Sequence, residues 1–176
     1  MKENVLALLG GEKAVKSKLN RFNTIGFEEE EAVLDVLRTG VLSKYLGCWD
    51  EDFYGGPKVK EFEKVCSKYF GVKYALAVNS WTSGLICAVG AIDIEPGDEI
   101  IVSTWTMCAS ATAIIHWNAI PIFADIDGKT FNISLDSVIE NITSKTKAIL
   151  AIDIFGHPCD YDGLMKICDK HNLKFS

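Results

Sequence analysis

Ala75-Leu76-Ala77-Val78-Asn79-Ser80-Trp81-Thr82-Ser83-Gly84 is an apolar run that breaks into a short polar turn and opens directly onto a helical pattern. Tyr74 to Val78 reads as a strand and about Trp81 to Ala91 as a helix. A helix start presents free backbone N–H groups and the positive end of the macrodipole, which suits a phosphate. Ser80, Thr82 and Ser83 add hydroxyl groups at the same place. Asn and Ser after a strand serve equally well as plain helix caps. Local sequence leaves both readings standing, an anion cup and a cap.

Working outward, the same alternation repeats. Glu95 to Asp98 is a turn, Glu99 to Ser103 a strand, Thr106 to His116 a helix and Ile120 to Ala124 a strand. Ser134 to Asn141 is a helix with Ser134 as its N-cap, Ala148 to Ile154 a strand, Tyr161 to His171 a helix, and Leu173 onward a further strand. Apolar strands alternating with helices predict an α/β fold around a mainly parallel sheet. Ligands in such sheets sit at the carboxyl ends of strands, which is where the 79–84 turn falls.

Upstream, Phe27 to Thr39 reads as a helix with a Glu-rich first turn, an apolar stripe of Val33, Leu34 and Leu37, and Gly40 as its stop. The Glu run is a solvated helix start. Residues 40–57 are rich in glycine and aromatics and form a long loop, and long loops in compact domains are often functional. Pro57 then opens a helix whose Val59, Phe62, Val65, Cys66 and Tyr69 make a core stripe, and Gly71 ends it. Residues 1–26 carry weak signals and are expected to form an extended arm.

The chain has 176 residues, 48% of them hydrophobic, 24% charged, and a net charge of −6, a composition that fits a soluble globular protein. That charge argues against a phosphate-tracking nucleic-acid binder. No apolar run approaches the roughly 20 residues needed to span a bilayer. The N-terminus lacks a signal-peptide cleavage pattern, so a cytoplasmic protein is expected. The six cysteines show no C-x-x-C pair, and most fall in apolar or helical contexts where a free Cys acts as a small hydrophobe. The three histidines share no ligand spacing with them, and no metal site is expected. Neither G-x-G-x-x-G nor a P-loop is present, so a dinucleotide or nucleoside-triphosphate site has no support.

The order of signals is more specific than any one of them. Gly56-Pro57-Lys58-Val59-Lys60-Glu61-Phe62-Glu63 precedes Tyr69-Phe70-Gly71-Val72-Lys73-Tyr74-Ala75, then Val78 to Leu85. Pro96-Gly97-Asp98-Glu99, Thr106-Met107-Cys108-Ala109-Ser110-Ala111, Pro121-Ile122-Phe123-Ala124-Asp125-Ile126-Asp127, Thr130-Phe131-Asn132-Ile133, Thr146-Lys147-Ala148-Ile149 and Phe155-Gly156-His157-Pro158-Cys159-Asp160 follow. From about residue 26 onward this series resembles the DegT/DnrJ/StrS aminotransferases, pyridoxal-phosphate enzymes acting on keto-sugars and cyclitols.

The resemblance implies a three-layer α/β domain of the fold type I aminotransferase kind, with 1–26 as an N-terminal arm and 27–176 as part of the cofactor-binding domain. It implies pyridoxal 5'-phosphate as cofactor, its phosphate held by Ser80, Trp81 and Thr82, with Met107 covering the pyridine ring where relatives carry an aromatic. A Met can still cover a ring face, at about 0.3–1.5 kcal/mol. Trp81 stands where many relatives have a small residue. Its ring either leans on the cofactor or a neighbouring subunit, or packs at the helix start. The 40–57 loop, with Tyr45 and Gly55-Gly56, resembles the family's substrate-side loop, and His157 reads as an ordinary loop histidine near the site. The family's Schiff-base Lys and pyridinium Asp fall beyond Ser176, so no catalytic residue is expected in this chain, which matches roughly half of a family member. Glutamate or glutamine as amino donor, a keto-sugar (nucleotide-linked) as acceptor, and a homodimer are further implications. A non-catalytic paralogue and a family dehydratase, in which His replaces the Schiff-base Lys, are the alternatives.

Overall fold

The computed structural model describes residues 5–18 and 20–175. Met1 to Asn4 of the expected arm and Ser176 of the expected last strand lie outside the described residues. The chain forms two compact units, divided between Tyr74 and Ala75.

The first unit holds a short 3-10 turn at Ala7–Leu9 and two helices, α1 (Phe27–Arg38) and α2 (Pro57–Phe70). The Glu run of α1 has a local use: Glu29 Oε2 accepts from the Gly26 N–H at 2.7 Å, closing the helix start on itself. Pro57 sits in the first turn of α2, where its missing N–H costs nothing. Gly71 ends the helix at φ +66, a left-handed conformation that glycine adopts without strain. The expected core stripes are present as stripes but not as core, since neither helix has a buried residue. Phe62 is 60% exposed and Tyr69 81%.

The second unit carries α3 (Trp81–Gly90), β1 (Glu99–Ser103), α4 (Cys108–His116), β2 (Ile120–Ala124), α5 (Leu135–Glu140), β3 (Thr146–Leu150), α6 (Tyr161–His171) and β4 (Lys174–Phe175). The strands form one parallel sheet in the order β2-β1-β3-β4. Successive strand residues face opposite sides. Ile100 and Val102 of β1 with Ala148 and Leu150 of β3 meet α3 and α4 through Leu85, Val89, Ala113 and Ile114. Ile101 and Ile149 face the other way, onto Val138 of α5 and Leu164, Ile167 and Cys168 of α6. The result is the three-layer α/β architecture expected.

Two expected strands differ. Among the described residues the sheet ladder runs through β1 to β4, and residues 74–78 lie outside it, so no ladder defines them as a strand. The strand expected over Ala148 to Ile154 spans Thr146–Leu150 instead. Past it the chain turns through a 3-10 segment at Ile154–Gly156, with Phe155 left-handed at φ 52, ψ 23.

The connections place a crevice. The β1-to-β2 crossover runs through α4 on one face of the sheet, whereas α6 leaves β3 for β4 on the other. The neighbouring strands β1 and β3 therefore send their carboxyl-end loops in opposite directions. That is a topological switch point, where open parallel sheets bind ligands.

Candidate functional site

Three segments of the second unit supply the candidate site: the start of α3, the loop between β1 and α4, and the loop after β3. Trp117, just past α4, donates its indole Nε1–H to the Ile86 carbonyl of α3 at 2.8 Å. A Cβ at Gly90 would lie 2.2 Å from the Trp117 ring, so the two helices touch closely at that end. Packed side by side and joined near both C-terminal ends, α3 and α4 run in the same sense. Their N-termini open together on the side of the strand carboxyl ends.

At the start of α3 the cap and the cup divide the polar groups between them. Ser80 is the N-cap: its Oγ accepts from the Ser83 N–H at 3.2 Å and donates to the Ser83 Oγ at 3.2 Å. The Ser83 hydroxyl donates to Asn79 Oδ1 at 2.6 Å, and the Gly84 N–H goes to the Ser80 carbonyl at 3.1 Å. What remains for an anion is the N–H of Trp81 and of Thr82, which helix geometry leaves without an internal acceptor, and the Thr82 hydroxyl. These donors fit a phosphate at a helix N-terminus. The Trp81 side chain does not close the mouth. A Cβ at Gly84 would sit 3.0 Å from Trp81 Cε3, so the indole lies back along its own helix while remaining 76% exposed.

Met107 directly precedes α4 in extended backbone (φ −66, ψ 142), and its side chain is 75% exposed. A bond of 2.8 Å between the Thr106 and Ser110 hydroxyls bridges the residue and fixes the turn around it. Next to it Trp105 lies tilted against Phe131, with ring centroids 5.5 Å apart. Exposure and backbone leave Met107 able to cover a planar ring.

The loop after β3 holds features that sequence reading missed. Asn132, 5% exposed, takes the Ile154 N–H on Oδ1 at 3.1 Å and donates Nδ2 to the carbonyls of His157 (2.9 Å) and Pro158 (3.0 Å). Asp153 takes the Cys159 N–H at 2.9 Å and the Tyr161 hydroxyl at 2.8 Å. The Cys159 N–H, more than Tyr161, holds the Asp153 carboxyl below the usual range. Burial, reinforced by Asp153, pushes the Cys159 thiol up to about 11, so it stays a protonated, inert thiol at neutral pH. No local pattern announces these bonds, because those of Asn132 cross between two loops and those of Asp153 reach six and eight residues ahead. His157 enters the network through its backbone.

Elsewhere, only Cys159 and Cys168 behave as buried hydrophobes. Cys48, Cys87 and Cys108 are exposed and Cys66 is intermediate, because their helix faces or loops lack cover. Among the described residues no cluster of His, Cys, Asp or Glu has a metal-binding arrangement. In the first unit, the 40–57 loop is braced by a Lys44–Asp52 ion pair at 3.1 Å, and Gly55 (φ +92) lies so close to Tyr45 that a Cβ would come within 2.9 Å of its ring.

Residues 28–176 match the sequence profile of the DegT/DnrJ/EryC1/StrS aminotransferase family. The chain belongs to that family. It is 40% identical over 149 residues to the spore coat polysaccharide biosynthesis protein SpsC of Bacillus subtilis, covering 85% of this chain and 36% of SpsC. It is 38% identical over 133 residues to a GDP-perosamine synthase of Vibrio cholerae, covering 74% of this chain and 36% of that protein. The X-ray structure of an aminotransferase from Psychrobacter cryohalolentis superposes with a TM-score of 0.79 at 34% identity, over 90% of this chain and 38% of that one. The chain therefore spans about a third of the length of these relatives, less than the half that its motifs suggest. The segment that matches the family profile includes the α3 start, the Met107 turn and the loop after β3.

Proposed function

We propose that this DegT/DnrJ/EryC1/StrS family chain forms part of a pyridoxal-phosphate-dependent aminotransferase that places an amino group on a nucleotide-linked keto-sugar for polysaccharide or secondary-metabolite synthesis. Residues 27–176 supply a portion of its cofactor-binding domain. The observation that carries the proposal is the α3 start, where two backbone N–H groups and the Thr82 hydroxyl remain for an anion, inside the segment that matches the aminotransferase family.

When bound, the cofactor supplies a carbonyl that accepts and returns the amino group. The chain's own residues bind and orient it. The N–H groups of Trp81 and Thr82 and the Thr82 hydroxyl hold the phosphate, aided by the helix dipole. Ser80 fixes the first turn of α3 through its bond to Ser83, so that those donors converge. Met107 covers one face of the ring from the switch-point side. We assign no residue of this chain to the covalent step. The proposal includes a homodimer, glutamate or glutamine as donor, and a cytoplasmic setting. Among the described residues no helix is long and apolar enough to cross a membrane.

The test uses the intact protein incubated with pyridoxal phosphate, dialysed, and mixed with L-glutamate. Retained visible absorbance that glutamate converts to the amine form of the cofactor, with release of 2-oxoglutarate, is expected. No retained cofactor would refute the proposal and favour the non-catalytic paralogue. When a nucleotide-linked keto-sugar is then added, an amino-sugar product is expected, and a deoxygenated sugar in its place would point to the dehydratase.

A further inference from the structure

Phe155 is an expensive residue where it stands. Its backbone is left-handed (φ 52, ψ 23), a conformation that costs a bulky side chain on the order of 1 kcal/mol. Its ring is 88% exposed and so repays nothing by packing within the unit. Glycine, already present next door as Gly156 (φ +79), would occupy the position without strain.

The surroundings nevertheless hold this conformation from both sides. Asn132 binds the Ile154 N–H and the His157 carbonyl, flanking the phenylalanine. Asp153 is tied to Cys159 and Tyr161. Two backbone bonds, Gly156 N–H to the Asp153 carbonyl (3.0 Å) and His157 N–H to the Ile154 carbonyl (2.9 Å), close the turn. Strained residues persist where neighbours over-determine them, and they cluster at ligand sites. This turn borders the crevice between the loops of β1 and β3, on the β3 side, with Met107 on the β1 side. The backbone that carries the aromatic ring is thus held in place before any ligand arrives, which lowers the ordering cost of binding.

We infer that Phe155 is a substrate-positioning residue whose ring forms the β3 wall of the crevice and packs against the apolar face of the sugar in a nucleotide-linked sugar, with Asn132 and Asp153 holding it in place. The inference rests on the aminotransferase reading above.

The experiment compares the intact protein with Phe155→Gly and Phe155→Tyr. Calorimetric titration uses GDP-perosamine and UDP-N-acetylglucosamine as probes, alongside pyridoxal phosphate titration and thermal melting without ligand. For Phe155→Gly the expected results are an unchanged or higher Tm and an unchanged cofactor Kd within threefold. At least one sugar-nucleotide Kd weakens tenfold or more, and Phe155→Tyr restores it to within threefold. Sugar-nucleotide affinities within twofold of the unmodified protein, or no binding of either probe by that protein, would overturn the assignment. A lowered Tm with unaltered affinities would overturn it too, by showing that the ring is covered by protein. A protein that retains no cofactor fails the aminotransferase reading and takes this inference with it. One that retains cofactor and passes the glutamate test, yet keeps its sugar affinity in Phe155→Gly, fails here alone.

Discussion

Helices α2 and α6 are both amphipathic, yet they end up in opposite circumstances. In the second unit α6 lays Leu164, Ile167 and Cys168 on the sheet at 0%, 8% and 2% exposure. In the first unit α2 shows Phe62 at 60% and Val65 at 59%, with nothing buried along its length. A 3.6-residue apolar period says which face of a helix seeks cover, and it is silent about what provides it. In the second unit β1 and β3 provide it, because their own alternation presents one apolar face to α3 and α4 and another to α5 and α6.

The largest effect that would break this contrast is cavity formation. Ile149→Ala removes a fully buried side chain and should cost about 2–5 kcal/mol of stability. Phe62→Ala should cost about 0.5 kcal/mol or less, as exposed substitutions do. Urea denaturation measures both, and equal costs would mean that the α2 stripe is covered after all. A second pair sharpens the contrast with glycines. Gly90→Ala drives a methyl into the Trp117 ring, which is held by its bond to Ile86, and should cost about 1–3 kcal/mol. Gly71→Ala meets open space and carries only the strain of φ +66, about 1 kcal/mol. A loss at Gly90 no larger than that at Gly71 would show that packing in the second unit is looser than described.

The smallest effect concerns Asp153. Its carboxyl is held below the ordinary range by the Cys159 N–H, then by Tyr161. Its stabilising share is therefore full above the unfolded carboxylate pKa of about 3.9 and fades as pH falls through the lower folded value. In a stability profile between pH 6 and pH 2, Asp153→Asn should show a shallower acid limb than the unmodified protein. Identical limbs would detach Asp153 from the loop after β3.

How much of this was legible in the sequence follows from how local each cause is. β1, β2 and the helices stand where periodicity puts them, because the signals that make them lie within a few residues. Ser80 as a cap is read from its own hydroxyl and the helix that follows. The end of β3 is not local. Ile152-Asp153-Ile154-Phe155 has strand composition, but Asp153 bonds forward to Cys159 and Tyr161, and Asn132 bonds across from the β2 loop, bending the segment into a turn. The lie of the Trp81 indole was likewise open, since it depends on the missing side chain of Gly84 one turn along. The local pattern located the 79–84 turn and the resemblance singled out Met107, whereas Asn132, Asp153 and Phe155 emerged only once the loops were in place.

The central claim is that the α3 start holds a cofactor phosphate through donors the fold leaves unspent. Thr82→Val keeps the shape of the side chain and removes its hydroxyl. The decisive measurement is the equilibrium affinity of the intact protein for pyridoxal phosphate, with and without this change. Loss of one hydrogen bond to a charged group, about 1.5–3 kcal/mol, predicts an affinity weakened roughly 10-fold to 100-fold, with the Tm of the unloaded protein unchanged. Equal affinities for both proteins would contradict the account and return the 79–84 turn to a plain helix cap.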